Sequence, residues 1–203
     1  MDRARAHKPR AAKDRRVEKT HKLLVAALGS LLHEKRYDAI VVQEILDRAN
    51  VGRSTFYTHF RDKDELLLRA IRDVVSASSP EPPASVRRSE RVIRFSRPMF
   101  EHIAELRRAG KDGLGFRSRS AVHDRLREVV GRQIAEDVRG GLRQVVGRAR
   151  PSGVPAELLV QHVTSSFIVV LNWWVDTRSN LPPAEVDAMF RALVLPALAS
   201  ALD

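Results

Sequence analysis

Val42-Gln43-Glu44-Ile45-Leu46-Asp47-Arg48-Ala49-Asn50-Val51-Gly52-Arg53-Ser54-Thr55-Phe56-Tyr57-Thr58-His59-Phe60-Arg61-Asp62-Lys63-Asp64-Glu65-Leu66 is the stretch that decides the fold. It reads as two short helices joined by a tight turn, with a third helix starting immediately behind. Ile45 and Ala49 lie four apart and share one face of the first helix. Asn50-Val51-Gly52 supplies the turn, since asparagine visits left-handed backbone at low cost and glycine permits a close approach. Arg53 to Phe60 then carries Arg, Ser, Thr, Tyr and His around one apolar anchor, Phe56. A short helix this polar suits a groove lined with phosphates. The pattern is a helix-turn-helix.

On the N-terminal side, Thr20 to Lys35 places Leu23, Leu24, Ala27, Leu28, Leu31 and Leu32 on an amphipathic stripe that would cover the motif. On the C-terminal side, Asp62 is positioned to cap a helix with Glu65 three residues on, and apolar residues continue to Val75. Residues 76–86, rich in Ser and Pro, form the linker. Val92, Phe95, Met99, Ile103 and Leu106 keep helical spacing, with a kink expected at Pro98. Three glycines between Ala109 and Gly115 break the chain. Val122 to Val145 marks a long helix with a soft point at Gly140-Gly141. Two further helices are predicted at about Ala156 to Thr177 and Pro183 to Ala201. No alternating strand pattern competes, so the fold class is all-α.

Tyr37-Asp38-Ala39, Ile45, Arg48-Ala49, Val51, Arg53-Ser54-Thr55-Phe56-Tyr57, His59-Phe60 and Lys63-Asp64-Glu65-Leu66 resemble the DNA-binding domain of the TetR family of bacterial transcriptional repressors. The likeness covers about Val17 to Val75. Farther on it thins to Asn172-Trp173-Trp174 and Leu195-Pro196-Ala197-Leu198. Val41 stands where a Thr or Ser usually caps the second helix, Asn50 and Arg36 replace usual glycines, and Leu46 fills a site that is often Ala. The resemblance implies a basic flexible tail (1–16), a three-helix DNA-binding domain (17–75) and a linker (76–86). A helical effector-binding and dimerisation domain (87–203) would follow. It also implies a homodimer on double-stranded palindromic operator DNA, most often a repressor released by a small-molecule effector.

The charge balance agrees. The chain has 203 residues, a net charge of +11 and a pI near 10.9, which favours polyanionic partners. Residues 1–16 hold seven basic and two acidic side chains, a net of +5, whereas 17–75 hold ten against nine. The reading head is nearly neutral and the tail carries its field, either as a solvated segment or as an arm on the DNA backbone. The absence of cysteine excludes disulfides and thiolate metal sites and fits the cytoplasm. No apolar run follows the charged N-terminus, so no signal peptide is expected. No HExxH pair, GxSxG elbow or phosphate loop is present, and the histidines lack metal-ligand spacing. An enzyme, a metal and a cofactor are therefore not expected.

Tyr57, His59 and Lys63 match positions that the family uses for phosphates. Arg53, Ser54 and Thr55 begin the recognition helix, the end from which base edges are read. Arg53 either reads guanine or holds a phosphate. Gln43 at the start of the second helix is a further contact or an idle surface residue. Residues 87–127 hold twelve basic and five acidic side chains, a solvated face or the surround of an anionic effector meeting Arg107, Arg117, Arg119 or His123. Phe95, Met99, Phe100, Ile103, Phe116, His123, His162 and Phe167 are the expected pocket lining, against the alternative of plain core. Leu158 to Val175 is apolar nearly all round but interrupted by Gln161, His162, Thr164, Ser165, Ser166 and Asn172. It is expected to face a second subunit rather than a membrane. Trp173, Trp174, Phe190 and Val194 are the expected interface residues, with one tryptophan closing the core and the other anchoring the dimer. Two other functions remain compatible with the residues, a ligand-independent DNA-binding factor and a helical interaction scaffold.

Overall fold

The computed structural model describes residues 8–78, 82–83, 85–108, 119–144 and 153–203, and regular structure among them is entirely helical. The chain divides between Ala70 and Ile71 into two compact units, each with its own core.

The N-terminal unit contains α1 (Lys8–Glu34), a 3₁₀ turn (Tyr37–Ala39), α2 (Val42–Ala49), α3 (Arg53–His59) and the first half of α4 (Lys63–Ala77). A flexible tail was expected through residue 16, yet α1 begins at Lys8. Lys, Arg and Ala are strong helix formers, and Pro9 falls in the first turn, where its missing N–H has no intrahelical partner to lose. The core stripe of α1 is narrower than the sequence suggested. Leu24, Ala27, Leu28 and Leu31 are buried, while Leu23 is exposed and Leu32 half-buried. These residues meet Tyr37, Ile40, Ile45, Leu46, Ala49, Phe56, Phe60, Leu66 and Leu67, all buried.

The helix ends are closed by local devices. Val41 has no side-chain acceptor, and the Glu44 N–H donates instead to the Val41 carbonyl (3.1 Å). Glu44 keeps the other half of the reciprocal pair, its carboxylate accepting from the Val41 N–H (3.1 Å). Asn50 ends α2 in the left-handed region (φ 50°, ψ 50°), as its side chain allows. Gly52 does not use its conformational freedom: φ is −68°, and a Cβ there would meet nothing closer than Thr55 Oγ1 at 4.0 Å. Asp62 caps α4 by accepting from the Glu65 N–H (2.8 Å), and Glu65 in turn accepts from the Arg61 N–H (2.7 Å).

The C-terminal unit contains the remainder of α4, α5 (Arg88–Val92), α6 (Ser96–Arg108), α7 (Arg119–Gln144), α8 (Ala156–Asp176) and α9 (Pro183–Leu202). Pro98 does not kink a helix. The break falls earlier, at Ile93 to Phe95, which places Pro98 in the first turn of α6. Gly140-Gly141 is continuous helix, and Gly141 is a close approach, since a Cβ there would sit 3.3 Å from Leu202. α9 packs against α8, α6 and α5. Where these helices meet, Phe95, Phe100, Phe167, Phe190 and Trp174 are nearly inaccessible. Their rings are mostly edge-to-face, with Phe95–Phe167 centroids at 5.1 Å and Phe167–Phe190 at 5.6 Å. One polar chain crosses this core: Asp187 accepts from the Ser96 hydroxyl and from Arg191 Nε (2.7 Å), and Arg191 also pairs with Glu90. A buried carboxylate is tolerated there because both its oxygens are partnered.

Candidate nucleic-acid interface

In the N-terminal unit, α2 and α3 share a polar exposed surface over the apolar anchor Phe56, which is fully buried. Gln43, Asp47, Arg53, Ser54, Thr55, Tyr57 and Thr58 are all exposed on it. Tyr57 keeps half its surface accessible while its ring edge packs on Phe56 (5.2 Å, 89°). Arg53, the first residue of α3, donates from Nη2 to Gln43 Oε1 (3.1 Å), and Gln43 Nε2 donates to Asp47 Oδ1 (2.8 Å). His59 is half-buried and packs edge-on against His21 of α1, their centroids 5.0 Å apart.

Lys63 is engaged within the head. Its ammonium donates to the carbonyls of Tyr37 (2.9 Å) and Ile40 (2.7 Å) and lies 4.6 Å from the Tyr37 ring centroid. It closes the C-terminal end of the 3₁₀ turn, where the Tyr37 carbonyl also accepts from the Ile40 N–H (3.0 Å). Tyr37 is held from the other side by its hydroxyl, which donates to Asp64. The motif residue Arg48 is likewise scaffold: it grips Glu34 with both terminal nitrogens and donates to Ser30 Oγ (2.9 Å).

These ties set the local electrostatics. The Arg48 hydrogen bonds hold the Glu34 carboxyl below its ordinary 4.5 and raise the Arg48 guanidinium. Lys35 first, and then the Val41 N–H, hold Glu44 below the same value. The scaffold charges are thus neutralised in pairs, and the exposed cation of the recognition surface is Arg53.

In the C-terminal unit, the expected pocket lining is core. Phe95, Met99, Phe100, Ile103 and Phe167 are buried against one another, His162 is exposed, and His123 is half-buried. Phe116 and Arg117 lie outside the described residues. Arg107 is engaged with the protein, stacked 5.0 Å from the Trp174 ring and donating to the Ser179 carbonyl (3.4 Å). A groove of about 410 Å³ opens elsewhere, between α7 and α8. Arg127, Glu128, Arg132 and Arg139 line one side of it, and Val160, Gln161, Thr164 and Ser165 the other.

The two tryptophans part as expected. Trp174 is buried and donates from Nε1 to the Leu181 carbonyl (3.1 Å), whereas Trp173 is 43% exposed. Phe190 and Val194, expected at an interface, are fully buried within the unit. The exposed apolar residues are instead Leu158, Val169 and Trp173 of α8 with Met189 and Leu193 of α9. Spacings of eleven and four bring the α8 three within an arc of about 60°. α8 is long and apolar enough to span a membrane, but 44% of that stretch is buried inside the unit. Among the described residues no group of His, Asp and Glu could hold a metal.

Residues 23–70 match the bacterial regulatory proteins of the tetR family. The HTH-type transcriptional regulator YdeS of Bacillus subtilis is 33% identical over 67 residues. That stretch is 33% of this chain and 34% of YdeS. A second regulator from that organism, YxbF, is 42% identical over 55 residues, which are 27% of this chain and 14% of YxbF. The chain thus matches 34% and 14% of the lengths of these two curated relatives. A TetR transcriptional regulator from Streptococcus agalactiae superposes with a TM-score of 0.59 at 27% identity, covering 91% of this chain and 98% of that one. RolR bound to resorcinol has the same fold, with a TM-score of 0.57 at 22% identity over 90% of this chain and 89% of RolR. Residues 23–70 of the N-terminal unit therefore carry a helix-turn-helix of the tetR-family type.

Proposed function

We propose that the protein is a cytoplasmic homodimer that binds a palindromic double-stranded operator and represses transcription until a small molecule releases it. The observation that carries the DNA reading is the α2–α3 surface. Seven polar side chains stand exposed there, while the charges around them are tied to one another. Gln43, Arg53, Ser54, Thr55 and Tyr57 are the contact residues, with His59 at the rim. Lys63 acts by shaping the turn before α2. The basic N-terminal stretch adds contacts to the DNA backbone.

The dimer reading is supported by the exposed apolar stripes of α8 and α9, where Trp173, Val169 and Leu193 would pack against the second copy. A two-fold dimer presents two heads to two half-sites, hence the palindrome. Effector release is supported by RolR, whose fold is shared and which holds resorcinol. The groove between α7 and α8, lined by Arg127, Arg132 and Arg139 together with Glu128 and Glu136, is the cavity we assign to it, and its mixed charge suits a polar ligand. The packed aromatic core favours a second reading, a DNA-binding factor that needs no ligand. Selection of bound sites from random duplex DNA, followed by a screen for compounds that release the selected site, tests all parts. A selected palindrome with no releasing compound leaves the second reading; absence of any selected motif removes both.

A further inference from the structure

Gln43 and Asp47 lie four apart on α2 and therefore share one face. Arg53 opens α3 opposite them, and the three side chains form one hydrogen-bonded line, Asp47 to Gln43 to Arg53. The line has a fixed direction. A carboxylate has no donor and a guanidinium has no acceptor, so the amide between them satisfies both neighbours in one orientation only. Its carbonyl must face Arg53 and its amino group Asp47. Turned over, N–H would oppose N–H and oxygen would oppose oxygen.

Asp47 is also an electrostatic oddity. It places a carboxylate on the surface that meets phosphates, where a negative charge weakens binding to every sequence. Its presence there is accounted for by what it holds. We propose that Asp47 is a specificity-positioning residue, which acts through Gln43 to aim Arg53 at the edge of a guanine in the operator half-site. The inference rests on the DNA-binding reading above and adds a residue that does not touch the base itself. Arg53 gives one donor to Gln43 and keeps the others of its five, enough for the paired contact to guanine N7 and O6. Gln43 supplies orientation, and Asp47 sets Gln43. An arginine with a free side chain would serve a phosphate equally well; a tethered one is selective.

The test uses the full chain and random-sequence duplex libraries at one fixed salt concentration. Wild type is compared with Asp47→Ala, Asp47→Asn, Gln43→Ala and Arg53→Ala, alongside titration of a generic duplex and thermal melting. Arg53→Ala should blunt the preference for guanine at one base pair per half-site, by roughly five- to hundredfold. Asp47→Ala and Gln43→Ala should blunt that same position and leave the others sharp. Asp47→Ala should bind the generic duplex at least as tightly as wild type, because a negative charge has gone. Asp47→Asn retains an acceptor for Gln43 and should keep the guanine preference, a rescue that a general loss of structure could not produce. If Asp47→Ala returns the wild-type motif with unchanged sharpness, the relay is overturned while the operator reading stands. If Asp47→Ala weakens every position together with generic binding, Asp47 is merely structural and the relay is again overturned. A wild-type chain that selects no motif removes the reading beneath it.

Discussion

The two units of this protein use apolar and charged residues in opposite ways. In the N-terminal unit the apolar side chains left exposed are Leu23, Val41 and Tyr57, and most of the remaining exposed surface is polar. Its scaffold charges are held pairwise, Arg48 with Glu34 and Lys35 with Glu44, with Lys63 on backbone carbonyls. In the C-terminal unit the inside is aromatic, and a second apolar face is left on the outside of α8 and α9. The difference teaches where each unit's selectivity comes from. A small head cannot bury much, so it stiffens itself by ion pairs and caps and presents exposed polar side chains to a polar partner. The larger unit has aromatic area to spare, and its outer stripe fits a partner as apolar as itself.

The contrast can be broken most decisively at Trp174. Trp174→Ala should destabilise the C-terminal unit by about 3–5 kcal/mol. Both tryptophans lie in that unit and both tyrosines in the head, so fluorescence separates the two transitions. Unfolding of the two units with equal losses would show that they are not independently held. Second in size is the basic stretch. Deleting Met1 to Arg16 should flatten the dependence of log K on log salt by roughly four to five for a dimer, if two or three residues per subunit neutralise phosphates at about 0.9 each. An unchanged slope would leave that segment in solvent.

Leu193→Asp tests the outer stripe. It should weaken self-association by on the order of a hundredfold in sedimentation experiments, with the helical content intact, because a charge is then buried at the centre of the contact. A dimer of unaltered strength would move the interface elsewhere. Lys63→Met sharpens the head's side of the comparison. It should cost about 1–3 kcal/mol of head stability through the lost carbonyl bonds. Tyr57→Ala, by contrast, should weaken DNA binding at unchanged stability. If Lys63→Met leaves the melting of the head untouched and lowers DNA affinity alone, Lys63 is a phosphate contact after all.

The smallest expected effect is acid sensitivity. Glu34, Glu44 and Glu65 all have folded pKa values held below the ordinary 4.5, by Arg48, by Lys35 and by the Arg61 N–H respectively. Groups depressed in the folded state stabilise it above their unfolded pKa, and the contribution is lost as pH falls through the folded value. The head's amide protection should therefore decline below about pH 4.5, and Glu44→Gln should flatten that decline. These carboxylates are exposed, so the change is slight.

The helix-turn-helix was legible because its signals are local. The Asn50 turn, the Asp62 cap and the Ile45–Ala49 face each depend on residues within one or two turns of helix. The bonds of Lys63 were not legible for the complementary reason: the carbonyls it serves are more than twenty residues away in sequence. Asp47 was overlooked although its i, i+4 relation to Gln43 is visible, because only the approach of α3 makes that pair a line ending at Arg53. Pro98 shows the same limit at short range. A kink was expected there, but the spacing could not tell a kink from a first turn, and the break falls at Ile93 to Phe95.

The sequence by itself determined the all-helical class, the position of the reading head and the polarity of the surface it presents, since periodicity and capping are properties of neighbouring residues. Tertiary structure alone decided which apolar stripe is core and which is surface. α8 is apolar on nearly all sides, so its pattern carries no phase. Only packing against α9 turns Trp174 inward and leaves Trp173, Val169 and Leu158 outside. The aromatic residues that could have lined a cavity were decided likewise, because a ring at helical spacing fills space or surrounds it according to what arrives from the facing helix.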